Sequence, residues 1–412
     1  MNAVVIAVGD ELVTGQTVDT NSAHLAMELS RLGVSAVEHR TVGDCGRDIR
    51  AAIERAAGAA DVVVVSGGLG PTADDVTRQA LADAMGAELV LHEPSLRRIE
   101  EFFRARGRVM QPTNRIQAMV PAGAEPLENS LGTAPGIAAR VGKALVFVVP
   151  GVPSEMRRMF ENQVSPRLPR GEGTTVYRVI HSFGRGESDV ASLIADLMER
   201  GREPAVGTTV AAGMVSVRIV SRGADRNVAA GRAGEVAAEV RRRLGDLVVG
   251  EDGDAKDAMA AAVGDLLRRR RQTLATAESC TGGLVGELVT AIPGSSDYYV
   301  GGVVAYANRI KHRMLGVPDL AISRHGAVSE PVAAAMAEGC RKAFGADWAV
   351  STTGIAGPAG GSEEKPVGLV YIGLAGHRGV HVNRDVFPGT REIVRLRASL
   401  TALNLLRLAL LQ

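Results

Sequence analysis

A chain of 412 residues with 47 Lys and Arg against 46 Asp and Glu carries a net charge of +1, so it has no electrostatic excess with which to hold DNA, RNA or an anionic membrane. Its 46% hydrophobic and 23% charged residues are those of a globular protein long enough for two or three domains. Three cysteines, Cys45, Cys280 and Cys340, stand too far apart for a CxxC pair or metal cluster and fit a reducing cytoplasm, and the opening run 3–8 reads as a strand, so no signal peptide is expected.

Residues 1–168 alternate strand and helix signals: strand 3–8, helix 21–32, strand 34–41, helix 47–58, strand 61–66, helix 76–85, strand 144–149 and a helix from Pro153. That order predicts an α/β domain with a largely parallel sheet, whose ligands gather at the carboxyl ends of the strands. The loops there carry Gly9-Asp10-Glu11, Asp19-Thr20-Asn21, Gly43-Asp44 and Ser66-Gly67-Gly68-Leu69-Gly70-Pro71-Thr72-Ala73-Asp74-Asp75. Gly68-x-Gly70-x-x-Ala73 satisfies the dinucleotide fingerprint by pattern only, because it follows the third strand and Pro71 removes an N–H. These glycines would still let the backbone approach a phosphate, with Asp74 and Asp75 holding a divalent cation. Equally, the two aspartates would serve only the start of helix 76–85. A Walker A loop is absent, since Gly136 to Ala144 has one residue too many and no Ser or Thr after Lys143.

The run Pro166 to Gly173 reads as a linker. Beyond it the pattern gives a strand near 175–182, a helix over 187–199, two strands near 205–220 joined at Ala212-Gly213, and a helix over 225–243. Residues 169–250 thus form a small α+β unit resembling the KH architecture. It lacks the GxxG loop that clamps nucleic-acid backbone, which favours a structural spacer.

Glu251 to Asp254 marks a second junction, and residues 251–412 form another α/β block: helix 256–271, strand 273–277, helix 282–291, strand 299–306, helix 331–343, strands 347–353 and 367–375, and a long helix 390–411. The last has Ile393, Leu396, Leu400, Leu403, Leu406 and Leu410 on one face, as core or subunit interface. Within this block Thr276-Ala277-Glu278-Ser279-Cys280-Thr281-Gly282-Gly283 sets Ser279 at a strand-to-helix turn. The free N–H groups of the helix start there would suit an oxyanion. No His–Asp pair accompanies the serine, but Lys311 follows it in a chain with only five lysines among its 47 basic residues. Arginine does not lose its proton, whereas a desolvated lysine flanked by Arg309 and Arg313 would have its pKa lowered toward neutrality. A Ser nucleophile with a Lys base is one reading. A helix-capping serine and a surface-coating lysine are the other.

Gly9-Asp10-Glu11-Leu12, Asp19-Thr20-Asn21, Gly67 to Thr72 with Asp74-Asp75, Gly132-Thr133-Ala134-Pro135-Gly136 and Pro150 to Met156 resemble the N-terminal domain of the CinA (competence/damage-inducible) family, which is similar to molybdopterin-binding folds. Ala277 to Gly283, Pro293 to Ser296, Tyr306-x4-Lys311, His325 to Ser329, Gly354 to Pro358 and Lys365 to Gly368 are similar to nicotinamide mononucleotide deamidase. The resemblance implies a three-layer molybdopterin-binding-like domain over 1–168, the KH-like spacer over 169–250, and an α/β deamidase domain over 251–412.

It further implies two activities. The C-terminal domain would hydrolyse nicotinamide mononucleotide to nicotinate mononucleotide and ammonia, without a cofactor. Ser279 would be the nucleophile, Lys311 the base, and Tyr306 and Thr353 supporting donors; Arg391, Cys280, Thr281, Gly282, Gly283 and Gly354 would meet substrate. Cys280 is by position a rival nucleophile, and a buried structural thiol is the alternative. The N-terminal domain would split ADP-ribose to AMP and ribose 5-phosphate with a divalent metal. Gly68, Gly70, Thr72 and Asn21 would bind substrate there, and Asp10, Glu11, Asp44, Asp74 and Asp75 are the candidate ligands. A cytoplasmic homodimer binding small nucleotides, with neither nucleic acid nor membrane as partner, is expected. The alternatives are a non-enzymatic adaptor in competence or DNA repair, and an N-terminal domain that only binds a pterin or nucleotide.

Overall fold

The structure, a computed structural model, describes residues 1–168, 173–211 and 213–412. Residues 169–172 of the expected linker and Ala212 of the expected strand connection therefore lie outside the described residues. The chain divides into two compact units, Met1–Val176 with Arg222–Ala230, and Tyr177–Ser221 with Gly231–Gln412.

In the first unit β1 (Asn2–Val8), α2 (Thr20–Arg31), β2 (Ser35–Val42), α3 (Gly46–Ala59), β3 (Val62–Ser66) and α4 (Thr77–Met85) follow the expected alternation, and a one-turn helix α1 (Asp10–Val13) stands where a loop was expected. Next come β4 (Leu89–Leu91), α5 (Glu93–Arg104), β5 (Met119–Pro121), β6 (Glu125–Leu127) and β7 (Gly136–Val141), then β8 (Ala144–Val149) and α6 (Pro153–Met159). Six strands form one sheet in the order β2-β1-β3-β8-β7-β6, parallel from β2 to β8 and antiparallel beyond. The period of two in β1 sorts its side chains. Val4 and Ile6 join a core with Ile49 and Ile53 of α3 and Leu81 of α4; Ala3 and Val5 join another with Leu25 and Leu29 of α2 and Met156 of α6. Because both faces are covered, β3 reads as an unbroken valine run, and the unit has three layers.

Residues 174–251 hold an α+β segment with a four-stranded sheet. In chain order it contains β9 (Thr174–Phe183), α7 (Glu187–Leu193), β10 (Ala205–Ala211), β11 (Met214–Gly223), α8 (Arg226–Leu244) and β12 (Val248–Glu251), and its sheet runs β10-β11-β9-β12. The remainder comprises α9 (Ala255–Arg270), β13 (Leu274–Glu278), α10 (Leu284–Thr290), β14 (Tyr299–Val304), α11 (Asn308–Leu315), α12 (Asp319–His325), α13 (Glu330–Phe344), β15 (Trp348–Gly354), β16 (Leu369–Gly376), β17 (Gly379–Val386) and α14 (Arg391–Leu411). Its sheet runs β14-β13-β15-β16-β17, with β14, β13 and β15 parallel and β16 and β17 antiparallel.

Strand β13 alternates as β1 does. Leu274 faces a core with Met259 and Val263 of α9, Leu288 of α10 and Leu403 of α14, whereas Ala275 and Ala277 face Val332 and Met336 of α13. Period two therefore sends Glu278 to the α10 and α14 side. On α14 the expected stripe is core at Leu400, Leu403, Leu406 and Leu410 and partly buried at Leu396, but Ile393 is exposed, because Val394 takes the core-facing position of the first turn. Truncating Leu403, which is fully buried, is expected to cost about 2–5 kcal/mol. The chain's single tryptophan, Trp348, shares that core, so urea unfolding of Leu403→Ala followed by its fluorescence should show the lowered midpoint.

Candidate active site

Ser279 follows β13 directly, and its N–H donates to the Thr352 carbonyl at 2.9 Å, which ties the residue to β15. Lys311 comes from α11, the helix that returns from the edge strand β14. Its Nζ donates to Ser279 Oγ at 2.9 Å and to the carbonyls of Ala305 at 2.6 Å and Tyr306 at 3.3 Å. The lysine is 1% exposed and the serine 9%. Burial brings the amine's pKa down from its ordinary 10.5 to about 8. Desolvation is the cause, and the flanking Arg309 and Arg313 expected to share in it contribute nothing. A neutral amine has two N–H groups and one lone pair. Carbonyls only accept, so with Ala305 and Tyr306 taking the N–H groups, the Ser279 hydroxyl is the neighbour able to donate to the lone pair.

The turn after Ser279 departs from expectation in its electrostatics. The Glu278 carboxylate, buried on the α10 side, accepts from Gly283 N–H at 2.9 Å, Val285 N–H at 3.0 Å, Gly286 N–H at 2.8 Å and the Thr281 hydroxyl at 2.7 Å. The start of α10 is thus already capped by a carboxylate, and the Gly282 N–H donates to the Ser279 carbonyl at 3.1 Å. Gly282 and Gly283 therefore cannot supply the oxyanion donors expected of them. Among the described residues, the N–H groups of Cys280 and Thr281 are those of the turn that meet no oxygen acceptor. The side chains of these two face inward. Thr281 also bonds the Thr352 hydroxyl at 2.7 Å, and Cys280 lies in the core with its thiol pKa pushed up to about 12 by burial, which removes it as a rival nucleophile.

Tyr306, Arg391 and Thr353 stand on the far side. Tyr306 is 61% exposed and its hydroxyl accepts from the Arg391 guanidinium at 3.2 Å, while Arg391 also donates to the Gly357 carbonyl at 2.9 Å. Thr353 donates its proton to the Ala327 carbonyl at 2.7 Å, so it is left with acceptor capacity rather than the donor role expected. Gly354 closes β15 where a Cβ would meet the Leu369 carbonyl at 2.6 Å, a reason for glycine that lies in strand packing. Glu278 escaped attention in the sequence because it reads as one more strand residue. Arg395, whose guanidinium bonds the Thr281 carbonyl, escaped as one of many arginines on a helix.

In the first unit the acidic loops do come together. Asp44 has its pKa raised by burial first, and by the charges of Asp10, Glu11 and Asp74 after it. The carboxylates are nonetheless engaged: Asp10 N–H donates to Asp44 Oδ2 at 2.9 Å, Asp44 N–H to Asp10 Oδ1 at 3.1 Å, and Asp75 Oδ2 accepts from the Thr72 N–H and hydroxyl. Among the described residues no three His, Cys, Asp or Glu converge as metal ligands, so the expected set does not fit a protein-only cation cage. Gly68, at φ +69, is required by the loop itself, since a Cβ there would also strike Thr77 Oγ1 at 2.0 Å, and at Gly70 a Cβ would displace the Asp75 carboxylate. Asn21 donates to Ser66 Oγ at 3.0 Å and the Gly151 carbonyl at 2.8 Å, and its buried Oδ1 has no partner. Among the described residues no helix is long and apolar enough to cross a membrane.

Comparison with known proteins gives matches over the whole chain. Family models described as the probable molybdopterin binding domain, the damage-inducible protein CinA KH domain and the CinA C-terminal domain match residues 4–170, 177–250 and 256–410. A CinA-like protein of Anaeromyxobacter sp. (strain Fw109-5) is 45% identical over 100% of this chain and 99% of its own. A putative competence-damage inducible protein of Moorella thermoacetica is 42% identical over 98% of each. A solved competence/damage inducible protein from Agrobacterium tumefaciens is 40% identical, covering 39% of this chain and 98% of its own, with a TM-score of 0.38.

The lowered pKa of Lys311 has a thermodynamic signature. The unfolded chain binds this proton more tightly, so stability rises with pH between about 8 and 10.5, and the burial penalty is carried in full below pH 8. Lys311→Met removes that penalty. The stability of this variant relative to the unaltered protein, from urea unfolding at Trp348, should be greatest near pH 7 and shrink as the pH approaches 10.5; a difference independent of pH would contradict a protonated, buried amine.

Proposed function

The chain belongs to the CinA family, and from that premise we propose that its second unit is a Ser/Lys amidohydrolase that converts nicotinamide mononucleotide to nicotinate mononucleotide and ammonia. The observation that carries this reading is the buried amine of Lys311 at 2.9 Å from Ser279 Oγ, with the hydroxyl as its only proton-donating neighbour among its three partners.

In its neutral form Lys311 takes the Ser279 proton as Oγ attacks the carboxamide carbon. The carbonyl oxygen becomes an oxyanion, for which the Cys280 and Thr281 N–H groups are the donors. Collapse expels the amine, which takes the proton from Lys311 and leaves as ammonia, with an acyl ester on Ser279. Water, deprotonated by Lys311, attacks that ester; the proton returns to Ser279 and nicotinate mononucleotide departs. Arg391 and the Tyr306 hydroxyl, at the exposed side, would receive the phosphate end of the substrate.

A second reaction, hydrolysis of ADP-ribose to AMP and ribose 5-phosphate, is proposed for the first unit. It is supported by the Gly-rich loop after β3 and by the gathering of Asp10, Glu11 and Asp74 around Asp44, whose pKa is raised by burial and by those charges. The resemblance implies a divalent cation there. With no converging ligand set, no step is assigned to one.

Ammonia release from nicotinamide mononucleotide by the pure protein checks the main reading. Ser279→Ala should fall by at least about a thousandfold, and Lys311→Arg should fall comparably because a guanidinium cannot accept the proton. The rate of the unaltered protein should climb with pH through about 8 and then level off, since the base acts deprotonated. For the second reaction, AMP formed from ADP-ribose should drop in Asp44→Asn and persist in Ser279→Ala; equal loss in both would argue against separate sites.

A further inference from the structure

We infer that Arg395 is a positioning residue for the nucleophile, acting through a single peptide group. The Nε and Nη2 of Arg395 both donate to the Thr281 carbonyl, at 3.1 and 2.6 Å. That oxygen and the Gly282 N–H belong to the same peptide unit, and the N–H donates to the carbonyl of Ser279 at 3.1 Å. The plane is held at both ends, by a charged fork on its oxygen and by the nucleophile's own residue on its hydrogen.

The clamp answers a weakness of this turn. Gly282 has φ +63 and Gly283 φ +98, so the turn depends on the two residues that resist rearrangement least. Rotation of the Thr281–Gly282 peptide would withdraw its N–H from Ser279 and release the serine from its contact with Lys311. Two donors in a rigid planar fork on one oxygen oppose that rotation, and a single ammonium does so less well. Arg395 also lies four residues after Arg391, on the same face of α14. One helix thereby carries an arginine to the exposed wall and another to the turn that holds the hydroxyl.

This inference rests on the amidohydrolase reading for its turnover assay, so the test includes a readout that needs no substrate. Arg395→Lys and Arg395→Gln would be compared with the unaltered protein in kcat and KM for ammonia release from nicotinamide mononucleotide. The rate at which a fluorophosphonate labels Ser279, and the urea midpoint from Trp348, would be measured alongside. Expected are a fall in kcat of about 10- to 100-fold, a KM within about twofold, and a matching fall in labelling at an unchanged midpoint. Labelling and kcat within about twofold of the unaltered protein would overturn the inference, as would a loss carried by KM or one tracking a lowered midpoint. Should the unaltered protein label at Ser279 without releasing ammonia, the substrate reading fails and the labelling rates alone decide for or against Arg395. Absence of labelling in the unaltered protein would remove the activated nucleophile and the inference with it.

Discussion

The arrangement at the carboxyl edge of the five-stranded sheet depends on one carboxylate, that of Glu278. Four donors converge on it, three of them the N–H groups that an uncapped helix start would leave open. Because that carboxylate does the capping, the serine beside it is free of the task that most serines at helix starts perform. Its hydroxyl can turn to α11 instead. The same four bonds hold the start of α10 from beneath, while Ser279 N–H is tied to the Thr352 carbonyl and its side chain meets Lys311.

Lys311 obeys a related constraint. A buried charge is costly unless compensated, and here the compensation comes from two carbonyls and a hydroxyl, with no carboxylate as an ion-pair partner. Dipoles stabilise the charged amine less than an anion would, which leaves its proton loosely held. A carboxylate in place of either carbonyl would have raised the proton affinity and removed the base.

Much of this was legible in the sequence, and the parts that were not share a cause. The parallel strands of the six- and five-stranded sheets announce themselves as apolar runs followed by loops of glycine and charge, so β1, β3, β8 and β13 are where the pattern places them, while the short α1 after β1 hides in a loop signature. Strands β4, β5 and β6 are only three residues long and β17 lies at a sheet edge, where burial imposes little alternation. Ser279 and Lys311 stand out by motif and by the scarcity of lysine. What no pattern carries is which donor meets which acceptor: that Glu278 takes the helix N–H groups, that Thr353 gives its proton to Ala327, and that Asp10 and Asp44 exchange bonds with each other's N–H groups while Asp75 accepts from Thr72. Those facts depend on side-chain directions across elements far apart in the chain.

Tyr306 touches the site twice, through its carbonyl to Lys311 and through its hydroxyl to Arg391. These two contacts make different demands on the residue. Any residue at 306 supplies the carbonyl, while only a few supply a hydroxyl on a long rigid arm. Drift at this position would alter what the exposed wall recognises and leave the amine's surroundings intact, so relatives could diverge in ligand preference while inheriting an unchanged base.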